Sequence, residues 1–305
     1  MDKYQAFEKL KELSHDLSSV SYKEIFDLLK DGIKQIPIPL AKISKKTNID
    51  RVRANNGENL FNHIDELGYI KDKKVISGLL TNFGRANCPH QVMFYGALET
   101  SLIGQQRYTA LAETSRLFRD PTSECLDGEH YTVSRWETTE DFLVVEIVFS
   151  EYALKNNPEI VTSFENQKKF LKEHQFDDKE MSFHLDFLKF ISEEFSKKVN
   201  NPDEYKISAA YTNIAFMHPD VKGISYPSVQ TEYFGLNIVM PPDSVDRLLI
   251  PKICSTHTVY KKGQKSLMTN GRKYCNTIDH KQNIDWQDAD PSILTDRITI
   301  AKYLD

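Results

Sequence analysis

Cysteine is scarce: the four in 305 residues, Cys88, Cys125, Cys254 and Cys275, are too scattered for a disulfide scaffold and read as reduced thiols. No stretch approaches the roughly 18 consecutive apolar residues of a membrane span. The start, Met1-Asp2-Lys3-Tyr4-Gln5, has no apolar signal-peptide core, so a cytoplasmic location and no membrane partner are expected. Neither sign of charge dominates. Lys and Arg number 39 against 44 acidic residues, a net charge of -5, so no direct nucleic-acid partner is expected and any phosphate site must be local. There is no G-x-x-x-x-G-K-[ST] loop, no G-x-G-x-x-G after a strand and no G-x-S-x-G elbow, which leaves P-loop, Rossmann and acyl-transfer chemistry without support. Repeats, low-complexity segments and Gly-Ser linkers are also missing. What is present is ample core material, 40% hydrophobic and 11% aromatic residues.

Apolar spacing predicts two amphipathic helices at the start, carrying Leu10, Leu13 and Leu17, then Ile25, Leu28, Leu29 and Ile33. Ile36-Pro37-Ile38-Pro39 ends them in extended chain, because proline fixes its own φ and disfavours helix in the residue before it. Ile76 to Leu80 and Val92 to Tyr95 read as short strands, and the chain from Tyr95 to Phe118 as helix. Phe142 to Phe149 reads as a central strand. A helical face follows in Phe183, Phe187, Leu188, Ile191 and Phe195, stopped at Asn200-Asn201-Pro202. Tyr205 to Phe216 and Tyr233 to Met240 read as strands, Leu248 to Ile253 as a buried strand ending at Cys254, and the chain beyond Lys261 as a polar tail. The expectation is an α+β fold, with an N-terminal helical extension over 1–45, a main domain over 46–305, and a helical insertion at about 155–202.

Several residues have the chemistry to hold an anion and stabilise a cation. Arg85 follows Gly84 in a loop, where a guanidinium can hold two phosphate oxygens in parallel; alone, it would more often be a surface ion pair. Arg53, near the end of an element, is a second such cation. Tyr95 finishes an apolar run and projects into the core or across a pocket mouth. Glu113, in Ala110-Leu111-Ala112-Glu113, is either a solvated helix charge or a carboxylate poised against positive charge. Ser228 follows Pro227, which preorganises the turn and aims the hydroxyl. Asn237 in the next strand is a brace for that loop or a plain strand-end hydrogen-bonder. Cys254, His257, Cys275 and His280 have roughly zinc-like spacing, with a buried strand end and a polar tail as the plainer reading.

In order, Arg53, Gly84-Arg85-x-Asn87, Tyr95, Ala-Leu-x-Glu113, Tyr226-Pro227-Ser228 and Asn237 resemble the motif series of the RES-domain family, enzymes that destroy NAD. The likeness spans about residues 50 to 260. It implies a fold similar to the ADP-ribosyltransferase toxins, a split mixed sheet around an NAD cleft, with NAD as substrate and no cofactor. It further implies that Arg85, aided by Arg53, anchors the pyrophosphate, with Asn87 beside them. By the same resemblance Tyr95 packs on the nicotinamide or its ribose, Glu113 stabilises the oxocarbenium-like ribose, and Ser228, backed by Asn237, orients the ribose or the acceptor. The acceptor is water, giving a glycohydrolase, or phosphate, giving an NAD phosphorylase. A macromolecular acceptor, as in an ADP-ribosyltransferase, and an inactive interaction module stay open. The resemblance also implies an antitoxin partner and a homodimer. One departure stands out: Glu113 lies eighteen residues after Tyr95, farther than the family places its glutamate. Gln106 occupies the usual distance and Glu99 is a nearer carboxylate. Seven additional helical residues would add about two turns and nearly restore the phase.

Overall fold

The computed structural model describes residues 1–120, 122–278 and 282–305. Ten strands among them form one mixed sheet: β1 (Leu40–Ile43), β2 (Asn48–Ala54), β3 (Phe94–Leu98), β4 (Cys125–Thr138), β5 (Phe142–Glu146), β6 (Val221–Pro227), β7 (Leu236–Met240), β8 (Leu249–Lys262), β9 (Lys265–Cys275) and β10 (Gln287–Asp288). They lie in the order β1-β5-β6-β7-β3-β2-β4-β8-β9-β10. Only β5 and β6 run parallel. The helices are α1 (Lys3–Leu13), α2 (Tyr22–Asp27), α3 (Lys73–Leu79), α4 (Gln106–Thr114), α5 (Arg116–Arg119), α6 (Glu151–Asn156), α7 (Pro158–Glu173), α8 (Asp178–Ser196), α9 (Lys206–Ala215), α10 (Pro242–Leu248) and α11 (Arg297–Leu304). The fold is therefore α+β.

The sheet parts at one seam. Strands β2 and β3 share just two residue pairs, Ile49 with Leu98 and Asp50 with Ala97. Beyond Asp50, β2 stays with β4 through all of its remaining length, while β3 stays with β7. Gly96 sits at the point of separation, where a side chain would collide with Ile49 and Phe94. Helix α4 lies against both β2 and β3 across this seam.

The first two helices start where the sequence places them, but Leu17 lies past the end of α1, and Leu28, Leu29 and Ile33 belong to a wider π-helical turn, Leu28–Ile33, that continues α2. Asp2 caps α1 with a reciprocal Gln5 contact, and Ser21 caps α2. They have no separate core: Phe7, Leu10, Leu17, Ile25 and Leu29 join Phe187, Phe195, Ile207, Tyr211, Ile224 and Val239 in one cluster. The helices expected around 155–202 are α7 and α8, capped by Asn157 and Asp177.

Several local expectations need correction. The run Ile76 to Leu80 is not a strand but the end of α3, started by Asp72, whose carboxylate accepts from Lys74 N and Val75 N. Tyr205 to Phe216 is not a strand either. It is mostly α9, where every residue from Lys206 to Thr212 is buried, which erases the one-sided helical stripe. The strand before the seam is shifted to Phe94–Leu98, so Tyr95 is its second residue and the following helix starts at Gln106. Strand β5 lies next to the sheet edge instead of at its centre; it reads as apolar because Val145 joins the core cluster on one face and Val144 that on the other. Leu248 closes α10, and β8 runs on past Cys254 to a turn at Gly263, whose φ of +56° suits glycine. The expected polar tail therefore includes β9.

Candidate active site

A cavity of about 960 Å³ opens in the fork between β2 and β3. Its walls bring together Arg51 and Val52 from β2, Tyr95 and Gly96 from β3, the loop residues Gly84, Arg85 and Asn87, and Asn237 from β7. Helix α4 contributes Ala110, Glu113 and Thr114. These stand at i, i+3 and i+4, so one helical face lines the cavity. Lys198 to Asn200 and Tyr205, which follow α8, close another side, with Tyr226 and Gln230 beyond them. Residues more than 140 positions apart in the sequence thus meet around one space.

The loop holding Arg85 is a tight reversal in which Gly84 N donates to Asn87 O at 2.9 Å. The Asn87 amide folds back over Gly84 so closely that a methyl group there would collide with Asn87 Oδ1. That oxygen accepts the Tyr95 hydroxyl at 2.7 Å, and the same hydroxyl accepts from Ala86 N at 3.3 Å. Gly84, Asn87 and Tyr95 therefore form one unit. Burial pushes the Tyr95 and Tyr226 phenols well above their ordinary values, so both stay protonated at neutral pH.

Three arginines border the fork, and none belongs to an ion pair among the described residues. Arg51 Nε donates to Leu67 O at 3.1 Å and Nη1 to Tyr95 O at 2.5 Å, which leaves Nη2 uncommitted at the cavity wall. Burial and the neighbouring Arg53 guanidinium push Arg51 down to about 9, still charged at neutral pH. Arg53 does not reach the cavity: its Nη2 donates to Gly68 O at 3.2 Å, and its buried Nε has no partner among the described residues. Both arginines belong to Arg51-Val52-Arg53 on alternate positions of β2, so they share a face, and Arg51, nearer the seam, is the one at the wall. Arg85 lines the cavity with its terminal donors already committed to Phe195 O, Lys197 O and the Tyr205 hydroxyl.

Of Glu113, Gln106 and Glu99, Glu113 lines the cavity. Its Oε1 accepts from Asn237 Nδ2 at 3.0 Å. Gln106 begins α4 on the same face, but it is buried and turned to Asn48 O at 3.3 Å. Glu99 is exposed and outside the lining. The chain between positions 106 and 113 is continuous helix, so Glu113 lies about two turns beyond Gln106 on nearly the same face.

Ser228 departs from expectation. Strand β6 ends at Pro227, and Ser228 opens a short turn over Val229–Thr231, so the alternation that puts Tyr226 on the wall no longer applies to it. Its hydroxyl is fully buried, has no hydrogen-bond partner among the described residues and lies outside the cavity lining. Sequence reading therefore missed Arg51, Tyr226, Tyr205, Gln230 and the Lys198–Asn200 wall. Arg51 and Tyr226 stood beside chosen residues, whereas nothing local marks 198–205 as part of a site.

Cys254 and Cys275 face each other across β8 and β9, both fully buried and free. His257 lies three positions along β8, where its Nε2 meets Ser255 Oγ at 2.9 Å. His280 lies outside the described residues. Among those described, no group of three or more His, Cys, Asp or Glu is arranged to hold a metal. No described helix is long and apolar enough to cross a membrane. No protein-family model matches this sequence, and no match was found among the curated proteins.

Proposed function

We propose that this protein consumes NAD by cleaving the bond between nicotinamide and ribose, as a glycohydrolase or phosphorylase. The observation that carries this reading is the convergence of Arg51, Arg85, Tyr95, Glu113 and Asn237 on one cavity. Its volume falls within the usual range for small-ligand sites. The fork in the sheet around that cavity also supports the likeness to ADP-ribosyltransferase toxins and their split sheet.

The chemistry follows from the leaving group. The C1′–N1 bond breaks with its electron pair remaining on the nicotinamide nitrogen, which departs as a neutral base. Positive charge then gathers on C1′ and the ribose ring oxygen. A fixed carboxylate lowers the energy of that state more than that of bound substrate, which is the requirement for catalysis. Glu113 meets it, with Oε1 pinned by Asn237 and Oε2 left for the ribose. Arg51 would take the pyrophosphate, a role the resemblance gives to Arg85 aided by Arg53, and Tyr95 would pack beside the nicotinamide ribose. An oxygen of water or phosphate then bonds to C1′; attacking water loses a proton to solvent.

Incubation with NAD should release nicotinamide, measurable by chromatography. Glu113→Gln should lower kcat about 100-fold, the scale of a lost transition-state contact. Arg51→Ala should chiefly raise KM, by about tenfold or more, through loss of a charge-assisted hydrogen bond. Absence of nicotinamide release from folded wild-type protein, with water or phosphate as acceptor, would refute the assignment and favour an inactive interaction module.

A further inference from the structure

Arg85 lines the cavity, yet its guanidinium is committed elsewhere. Nη1 donates to Phe195 O and, at 3.3 Å, to Lys197 O; Nη2 donates to Lys197 O and to the Tyr205 hydroxyl, each at 3.3 Å. The guanidinium also stacks over the Tyr205 ring, 5.1 Å from its centre. Phe195 and Lys197 are the end of α8. Helix carbonyls at a C-terminus lack intrahelical partners and carry partial negative charge. Many helices close such an end with a residue in the left-handed region. Here Lys197 has φ -58° and ψ 135°, and the chain leaves extended. Arg85, from a loop 110 residues away in sequence, serves as the cap.

We propose that Arg85 is a latch shared between α8 and the cavity: a bound pyrophosphate draws the guanidinium off the helix end, and release of that end frees the 197–201 segment to rearrange over the ligand. This rests on the reading of the cavity as a dinucleotide site. The helix carbonyls and a phosphate cannot be served at once, because the terminal N–H groups a phosphate would need are those now given to the carbonyls. A phosphate carries more charge than a helix end, so occupancy favours transfer. Lys198 and Asn200 are already exposed on the cavity rim. The segment is held on both sides to one loop of the N-terminal helices, by Lys197 Nζ on Ser14 O at 3.2 Å and by Lys206 Nζ on Leu17 O and Val20 O at 2.9 and 3.0 Å. Movement is thus confined to the residues between.

Linkage gives the latch a distinctive sign: whatever weakens the cap strengthens ligand binding. The probe is ADP-ribose, which contains the pyrophosphate and cannot turn over, titrated by calorimetry into the full chain. Tyr205→Phe keeps the ring beneath Arg85 and removes one acceptor, so ADP-ribose should bind roughly fivefold more tightly, the scale of one hydrogen bond. In hydrogen exchange, ADP-ribose should speed exchange in the last turn of α8 and in 197–201, and Arg85→Gln should do the same without ligand. Weaker binding by Tyr205→Phe, or slower exchange at the α8 end when ADP-ribose is bound, would overturn the latch while leaving the NAD site standing. Failure of ADP-ribose to bind the wild type would overturn both.

Discussion

Ser228 carries the sharpest test at the scale of single residues. Its hydroxyl is buried without a partner among the described residues, and such a group costs free energy that a methyl does not. Ser228→Ala should leave stability unchanged or raise it by about 1 kcal/mol, measured by urea unfolding. Nicotinamide release should then be unaffected. A large loss of turnover with unchanged stability would mean that the hydroxyl turns into the cavity when substrate binds, as the family resemblance implies. Much of the rest of the site was legible from residue type and order. Arg85, Asn87, Tyr95, Glu113 and Asn237 all reach the wall. The error at Arg53 was one of distance along the strand, since Arg51 and Arg53 share a face and only proximity to the seam separates them. Tyr205 and Lys198 were beyond local reading because their place depends on how α8 returns to the sheet.

Helices and strands repeat the same division. Capped amphipathic helices such as α1, α7 and α8 announce themselves, because one face is apolar and a polar cap precedes the first turn. Helix α9 does not, since burial on nearly every side removes the stripe on which the period depends. Strand β9 was hidden for the opposite reason: only Thr269 and Cys275 in it are buried, so polar residues suffice elsewhere. Helix α8 also bears an electrostatic cost. Burial pushes the Glu194 carboxyl up from 4.5 to about 7, against the pull of Lys197 at 2.7 Å, with Glu193 and Glu204 adding repulsion. The folded state therefore holds this proton more tightly than the unfolded chain. Its contribution is most favourable below pH 4.5, declines as the pH rises from there to about 7, and is constant above. At 1.36 kcal/mol per unit the decline is about 3 kcal/mol. Glu194→Gln should flatten this part of the stability profile and raise the urea midpoint at pH 8. Parallel profiles for variant and wild type between pH 5 and 7 would contradict it.

Considered whole, the molecule does not divide at its first helices. Truncation after Pro39 would strip Phe7, Leu10, Leu17, Ile25 and Leu29 from the shared core. It would also leave the Lys206 ammonium, now buried against Leu17 O and Val20 O, without those acceptors. Losing one large core side chain typically costs 2 to 5 kcal/mol, about as much as a quarter or more of a domain's stability. The shortened chain should therefore fail to unfold cooperatively by circular dichroism and should aggregate on sedimentation. A trimmed protein that melts sharply and still turns over NAD would show the helices to be dispensable. The α+β class was readable from the alternation of patterns along the chain. The order of the strands was not, because pairing between distant segments leaves no local mark.

The seam has a mechanical meaning as well. Asp50, fully buried and held by Arg135 at 2.7 and 2.8 Å, rivets β2 to β4 at the last rung shared with β3. With just two pairs joining the halves, opening there would break few hydrogen bonds. Because α4 spans that joint, a few degrees of opening would tilt the helix and carry Glu113 with it, so the aim of the carboxylate and the width of the fork form a single degree of freedom.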